Sequence, residues 1–174
     1  MLPAGGTSRR TRSMRRLGLA GGADCGRAPG LPLCWLNVLG AYDMAWVIHN
    51  PVRHRGKSPV GNGECAVLAQ WFNSAIPHTC HWRPGEQVSK TRALVPGTVI
   101  ATFNQNGDYV NRRGFHTAIY VGRDAQGITV IEQFHGLRAI RLHKYHFGDP
   151  ASKESNGDSY YVVEHKHDKS WHHE

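Results

Sequence analysis

The chain has 174 residues, room for one domain of ordinary size, and its composition is globular, with 40% hydrophobic and 20% charged residues. No stretch approaches the roughly 18 apolar residues of a membrane span, so stable membrane insertion is not expected. The formal net charge is +8, but the six arginines of residues 1 to 43 stand against only Asp24 and Asp43, and the longer remainder is only mildly basic. A body of that kind is not expected to bind nucleic acid, and it suits a polyanionic envelope equally well.

Residues 1 to 43 are rich in Gly, Arg and Pro and show little periodicity. They read as a disordered basic leader, or as a stretch upstream of a natural start at Met44. Arg9-Arg10 has a weak twin-arginine look, but GGADCGRAPG interrupts any apolar signal region. Cys25 and Cys34 are near enough in sequence to form a disulfide. Residues 44 to 165 are the expected domain, and 166 to 174 a His-rich polar tail.

Within the domain, Asn50-Pro51 and Ser58-Pro59 break an approach loop. Residues 63 to 75, GECAVLAQWFNSA, predict a helix, with Cys65, Leu68, Ala69 and Phe72 on one face and Ile76-Pro77 as its stop. A polar loop follows, running through His81-Trp82 and Pro84-Gly85. Strands are then predicted at 98 to 103, at Tyr109-Val110 after an Asn106-Gly107 hairpin turn, and at 116 to 121. Further strands are predicted at 128 to 134, 138 to 147 and 159 to 165. One helix followed by consecutive strands on short turns predicts an α+β fold, the helix packed on an antiparallel sheet of five to six strands.

Cys65 sits where a glycine turn becomes a helix. Unpaired backbone N–H groups and the positive end of the helix dipole favour its thiolate, the nucleophilic form. A nucleophile needs a base, and there are twelve histidines to choose from. His116 stands apart because it opens a strand, at a sheet rim that can meet a helix start. His135, His143 and His146 have no such setting. The base needs an acceptor to orient it, and the next strand ends in Glu132-Gln133. Alternation puts the two on opposite faces without choosing between them. Glu132 is preferred because a carboxylate best stabilises imidazolium. His78, Cys80 and His81 look like a partial metal site, but the spacing supplies no further ligand, so neither metal nor cofactor is expected.

Cysteine on a helix start, histidine on a strand and an acid on the next strand is the order of a papain-like core. Cys65, GTVIATF at 97 to 103, His116 in GFHTAIYVG and GITVIEQF at 127 to 134 together resemble the bacterial cysteine amidases of the CHAP and NlpC type. More narrowly, residues 46 to 165 resemble the small amidase-like proteins associated with type VI secretion. The resemblance implies hydrolysis of amide bonds in peptidoglycan stem peptides, with Cys65, His116 and Glu132 as nucleophile, base and orienter. It also implies an antibacterial effector made in the bacterial cytoplasm and secreted, acting in a target cell's periplasm or cell wall, and a neutralising immunity protein.

Three further residues are assigned to substrate contact: Glu64, Gln133 and Trp82. Many relatives carry Gln immediately before the cysteine, and this chain carries Glu64. A carboxylate there repels a developing oxyanion unless it turns away, which leaves the Cys65 backbone N–H as donor. The rival reading is a weak or inactive module on the same fold that grips cell wall or a partner protein.

Overall fold

The computed structural model describes residues 45 to 166. The leader, the Cys25–Cys34 pairing and all but the first residue of the tail lie outside the described residues. Within them one α-helix, α1 (Cys65–Phe72), precedes six strands. These are β1 (Trp82–Gln87), β2 (Val99–Ala101), β3 (Thr117–Arg123), β4 (Gly127–Glu132), β5 (Arg141–His146) and β6 (Tyr161–His165). They form one antiparallel sheet in the order β1-β6-β2-β3-β4-β5. The α+β class and the helix-on-sheet arrangement are as the sequence predicts.

The helix is shorter than its apolar periodicity suggests. At its start Gly61 and Gly63 have φ of 58° and 80°. That left-handed backbone suits glycine and stops the helix from beginning earlier. At Gly61 a Cβ would also lie 2.5 Å from Val67 Cγ1. At its end Asn73 is extended, and its Oδ1 accepts the Ala75 N–H, an alternative that competes with continuing the helix. Cys65, Leu68 and Ala69 are buried, as the predicted face requires.

Two strand expectations need correction. The loop predicted around Trp82 is β1, a strand hidden by its Pro84-Gly85. It is tolerated because β1 is an edge strand and its pairing with β6 shifts register between Pro84 and Gln87. Conversely, Asn106-Gly107 makes a turn, with Gly107 at φ 79°, but Tyr109-Val110 is not a strand. The chain there curls inward and buries Tyr109.

Two apolar clusters follow from strand alternation. Ile119 and Ile131 pack with Leu68, Ala69, Trp82 and Val163 under α1. Ala118, Tyr120 and Val130 pack with Ile100, Tyr145 and Tyr160 on the other face. Glu132 and Gln133 therefore point to different faces of the same strand end.

Candidate active site

The turn before α1 delivers Cys65 as the first helical residue, with Glu64 as N-cap and no side chain capping the helix. The first N–H groups of α1 have no partner within the helix, and Cys65 stands at that end of it. The Cys65 Sγ lies 3.1 Å from the Tyr109 hydroxyl. It also interacts with the His116 ring and the backbone N–H of Thr117. His116 immediately precedes β3, and its backbone N–H donates to Thr102 Oγ1 at 3.0 Å while its carbonyl accepts from Thr102 N.

The His116 Nε2 is 2.6 Å from Glu132 Oε2, which leaves Nδ1 for the thiol. Glu132 ends β4, directly opposite Arg141 at the start of β5. The Arg141 Nε donates to Glu132 Oε1 at 2.7 Å, and the Tyr145 hydroxyl donates to Oε2. A fully buried carboxylate is costly unless its oxygens are paired. Here three donors from three side chains meet it.

These contacts set the protonation states. Burial pushes the Cys65 thiol up, but the hydrogen bond and charge of His116, the Tyr109 hydroxyl and the Thr117 N–H outweigh it and lower its pKa. Burial opposes charge on His116, yet its bonds to Cys65 and Glu132, and their charges, raise it to about 9. Burial would raise Glu132, but His116, Tyr145 and Arg141 bring it down to about 2. Burial and the neighbouring Cys65 charge raise the Tyr109 phenol, so it stays protonated and donates to the sulfur. These shifts favour a thiolate–imidazolium pair held by an ionised carboxylate. Chemically, it can attack a carbonyl carbon and return a proton to a leaving nitrogen.

Cys65 and His116 open onto a cleft of about 630 Å³. Its walls include Asn111, Arg112, Phe115, Phe134, His135, Arg141 and His143. His135 and His143, which the sequence did not single out, thus line the same cleft as His116. The three residues assigned to substrate contact part company. Glu64 lines the cleft, and its carboxylate accepts the Asn111 Nδ2 at 2.8 Å. Gln133 is fully buried, and it clamps the backbone before Cys65. Its Nε2 donates to the Val60 and Glu64 carbonyls at 3.0 and 2.9 Å, and its Oε1 accepts the Val60 N–H at 2.9 Å. Trp82 is fully buried as well, packed tilted against Tyr109 at 5.2 Å, with Nε1 donating to the Pro77 carbonyl. The assignment of Gln133 and Trp82 to substrate contact is corrected, because neither exposes surface to a ligand.

Tyr109, Arg141 and Tyr145 join the constellation without a signal of their own in the sequence. The Arg141–Glu132 pairing follows from strand register, which needs the β4–β5 turn to be counted correctly. His78 Nδ1 lies 3.2 Å from Cys80 Sγ on an exposed loop away from the cleft lining. Among the described residues no three His, Cys, Asp or Glu side chains are grouped to hold a metal ion.

The chain belongs to the family described as domesticated amidase effector 2 (Dae2), whose profile matches residues 38–163. It is 31% identical over 137 residues to the type VI secretion amidase effector 2 protein of Salmonella typhi, covering 70% of this chain and 100% of that protein. Its fold is similar to the solved structure of type 6 secretion amidase effector 2 (Tae2), with a TM-score of 0.63 and 27% identity, covering 74% of this chain and 99% of the other.

Proposed function

We propose that the protein is a papain-like cysteine amidase that hydrolyses amide bonds in bacterial peptidoglycan stem peptides, as a secreted antibacterial effector. The observation that carries this reading is the buried relay from the Tyr109 hydroxyl through Cys65 and His116 to Glu132, open at the sulfur to a cleft. Membership of an amidase effector family, and the amidase effector names of the two relatives, support it.

In this reading the Cys65 thiolate attacks the amide carbonyl. The oxyanion forms beside the unpaired N–H groups at the start of α1. Imidazolium His116 gives its proton to the leaving amine, and an acyl-enzyme remains on Cys65. Neutral His116 then takes a proton from water as its oxygen attacks the thioester; the C–S bond breaks, the new carboxyl product leaves, and the Cys65 thiolate and imidazolium His116 are restored. Glu132 holds the ring and stabilises its charged form throughout, while Arg141 and Tyr145 hold Glu132. An enzyme of this kind endangers its producer, so a cognate immunity protein belongs to the proposal, as does delivery into a rival's periplasm. No helix among the described residues is long and apolar enough to cross a membrane.

The test is digestion of purified sacculi by wild type and Cys65→Ala, with released fragments identified by mass. New fragments from wild type alone establish the amidase and name its bond. Equal release by Cys65→Ala, or none by wild type, rejects it.

A further inference from the structure

Arg141 has more donors than its role beside Glu132 uses. Its Nε is committed to Glu132 Oε1, but its two terminal nitrogens make no hydrogen bond among the described residues. The side chain is 40% exposed and lines the cleft that holds Cys65 and His116. Its guanidinium carbon sits 5.0 Å from the centroid of the Phe134 ring, itself an exposed aromatic at the cleft wall. A flexible side chain normally loses much rotamer freedom when it binds a ligand. Here the buried carboxylate pins one edge of the guanidinium and the aromatic ring supports its face, so that cost is met before any ligand arrives.

With Nε occupied, what remains is the end of the fork: two nearly parallel N–H donors. That geometry matches the two oxygens of a carboxylate. We propose that Arg141 is a specificity-determining residue, its terminal nitrogens binding a free carboxylate of the peptide to be cleaved, so that the preferred substrates are acidic peptides. This rests on the amide-hydrolysis reading above and deepens it. The pairing also ties recognition to chemistry, because the nitrogen beside the two ligand-binding ones holds the carboxylate that orients His116.

The experiment uses muropeptides prepared from purified sacculi, either intact or with their carboxylates converted to carboxamides by carbodiimide and ammonia. Binding is measured by calorimetry on the Cys65→Ala protein, which should not turn the ligand over. Intact muropeptide should bind about 10- to 100-fold more tightly than the amidated form, the range of one charge-assisted bidentate contact. Adding Arg141→Gln should bring intact muropeptide down to the amidated level and leave the amidated affinity unchanged. Arg141→Lys keeps a cation beside Glu132 but not the fork, and should fall between. Equal binding of the two ligands, no binding of either, or equal weakening of both by Arg141→Gln overturns the proposal. So does a preference untouched at Arg141 but removed by Arg113→Gln, a change at another arginine of the same cleft lining. Hydrolysis by the wild type is read separately on sacculi, so the amidase reading and the Arg141 assignment can fail independently.

Discussion

Two regions of this sheet bury large polar-capable side chains to opposite ends. At the β3–β4–β5 end, His116, Glu132 and Gln133 are each almost or wholly buried, and each is bonded to another side chain or to backbone that bears on Cys65. At the β1–β6 edge, Trp82 is equally buried, but it is surrounded by apolar side chains and makes one hydrogen bond to a nearby carbonyl. Burial alone therefore does not mark a site. What separates the two is whether the buried group is a charge held ready or a volume that fills the core. Changes at the first end should act on rate, and changes at the second on stability.

The largest effect should come from Cys65→Ala, with hydrolysis of sacculi falling by ~10⁴-fold or more in a protein that still folds. Trp82→Ala sets the opposite pole. It should cost about 3–5 kcal/mol of unfolding free energy, as large aromatic truncations do, while kcat/KM of the folded fraction stays within a few-fold. A Trp82→Ala protein of normal stability and lost activity would dissolve the distinction.

Glu132→Gln should lower kcat by ~10²- to 10⁴-fold, since a neutral partner neither stabilises imidazolium nor pairs Arg141. The pH profile sharpens this. Activity requires thiolate and imidazolium together, so it should rise at the lowered pKa of Cys65 and fall through about 9, where His116 loses its proton. Because Glu132 helps to raise His116, its neutral replacement should move the alkaline limb to lower pH; an unmoved limb would reject the assigned role. Stability follows the same groups. The raised pKa of His116 adds stability that is complete below its usual value near 6.5 and lost as pH rises through about 9. The depressed pKa of Glu132 adds stability present above the ordinary carboxylate range and lost as pH falls towards about 2.

Gln133 tests the boundary between the regions, because it is buried like Trp82 but bonded like Glu132. Gln133→Leu keeps its bulk and leaves the Val60 N–H and the Val60 and Glu64 carbonyls without their partner. These groups are part-buried, and each one orphaned costs up to about 1–3 kcal/mol. A loosened turn also misplaces the thiol, and kcat should fall ~10- to 100-fold with KM nearly constant. A change confined to stability would make Gln133 core rather than a positioning residue.

The half of the candidate site built on local pattern was legible. A glycine turn running into an apolar face marked Cys65, a β-branched run behind a Gly-Phe step marked His116, and the strand end Glu132-Gln133 held the acid. The missing half depends on what strands lie beside each other. Arg141 faces Glu132 only because β4 and β5 pair in one register, and a slip of one residue would turn every side chain to the other face. Asn106-Gly107 predicts a hairpin and hence a strand at Tyr109, yet here the chain turns inward and delivers its hydroxyl to the sulfur. The edge strand β1 was invisible because proline in a run argues against a strand except at an edge, and edges are a property of the assembled sheet.

The smallest effect concerns Glu64, the residue that departs from the glutamine pattern. Its carboxylate lies one residue before the nucleophile, and its charge is among the influences that raise the Tyr109 phenol, so the field reaches the sulfur's hydrogen-bond partner. A unit charge several ångströms from a developing oxyanion, in a half-exposed setting, opposes it by about 0.5–1.5 kcal/mol. Glu64→Gln keeps the size of the side chain and an oxygen to accept the Asn111 amide, so the turn stays in place. Removing the charge should therefore raise kcat by roughly 2- to 10-fold, most at low salt, where screening is weakest. The same substitution removes a negative charge from the start of α1 and should cost about 0.3–1 kcal/mol of stability. Faster turnover in a slightly less stable protein is the expected pair of results. A Glu64→Gln protein no faster than wild type at low salt would mean that Asn111 already turns the carboxylate's charge away from the reacting carbonyl.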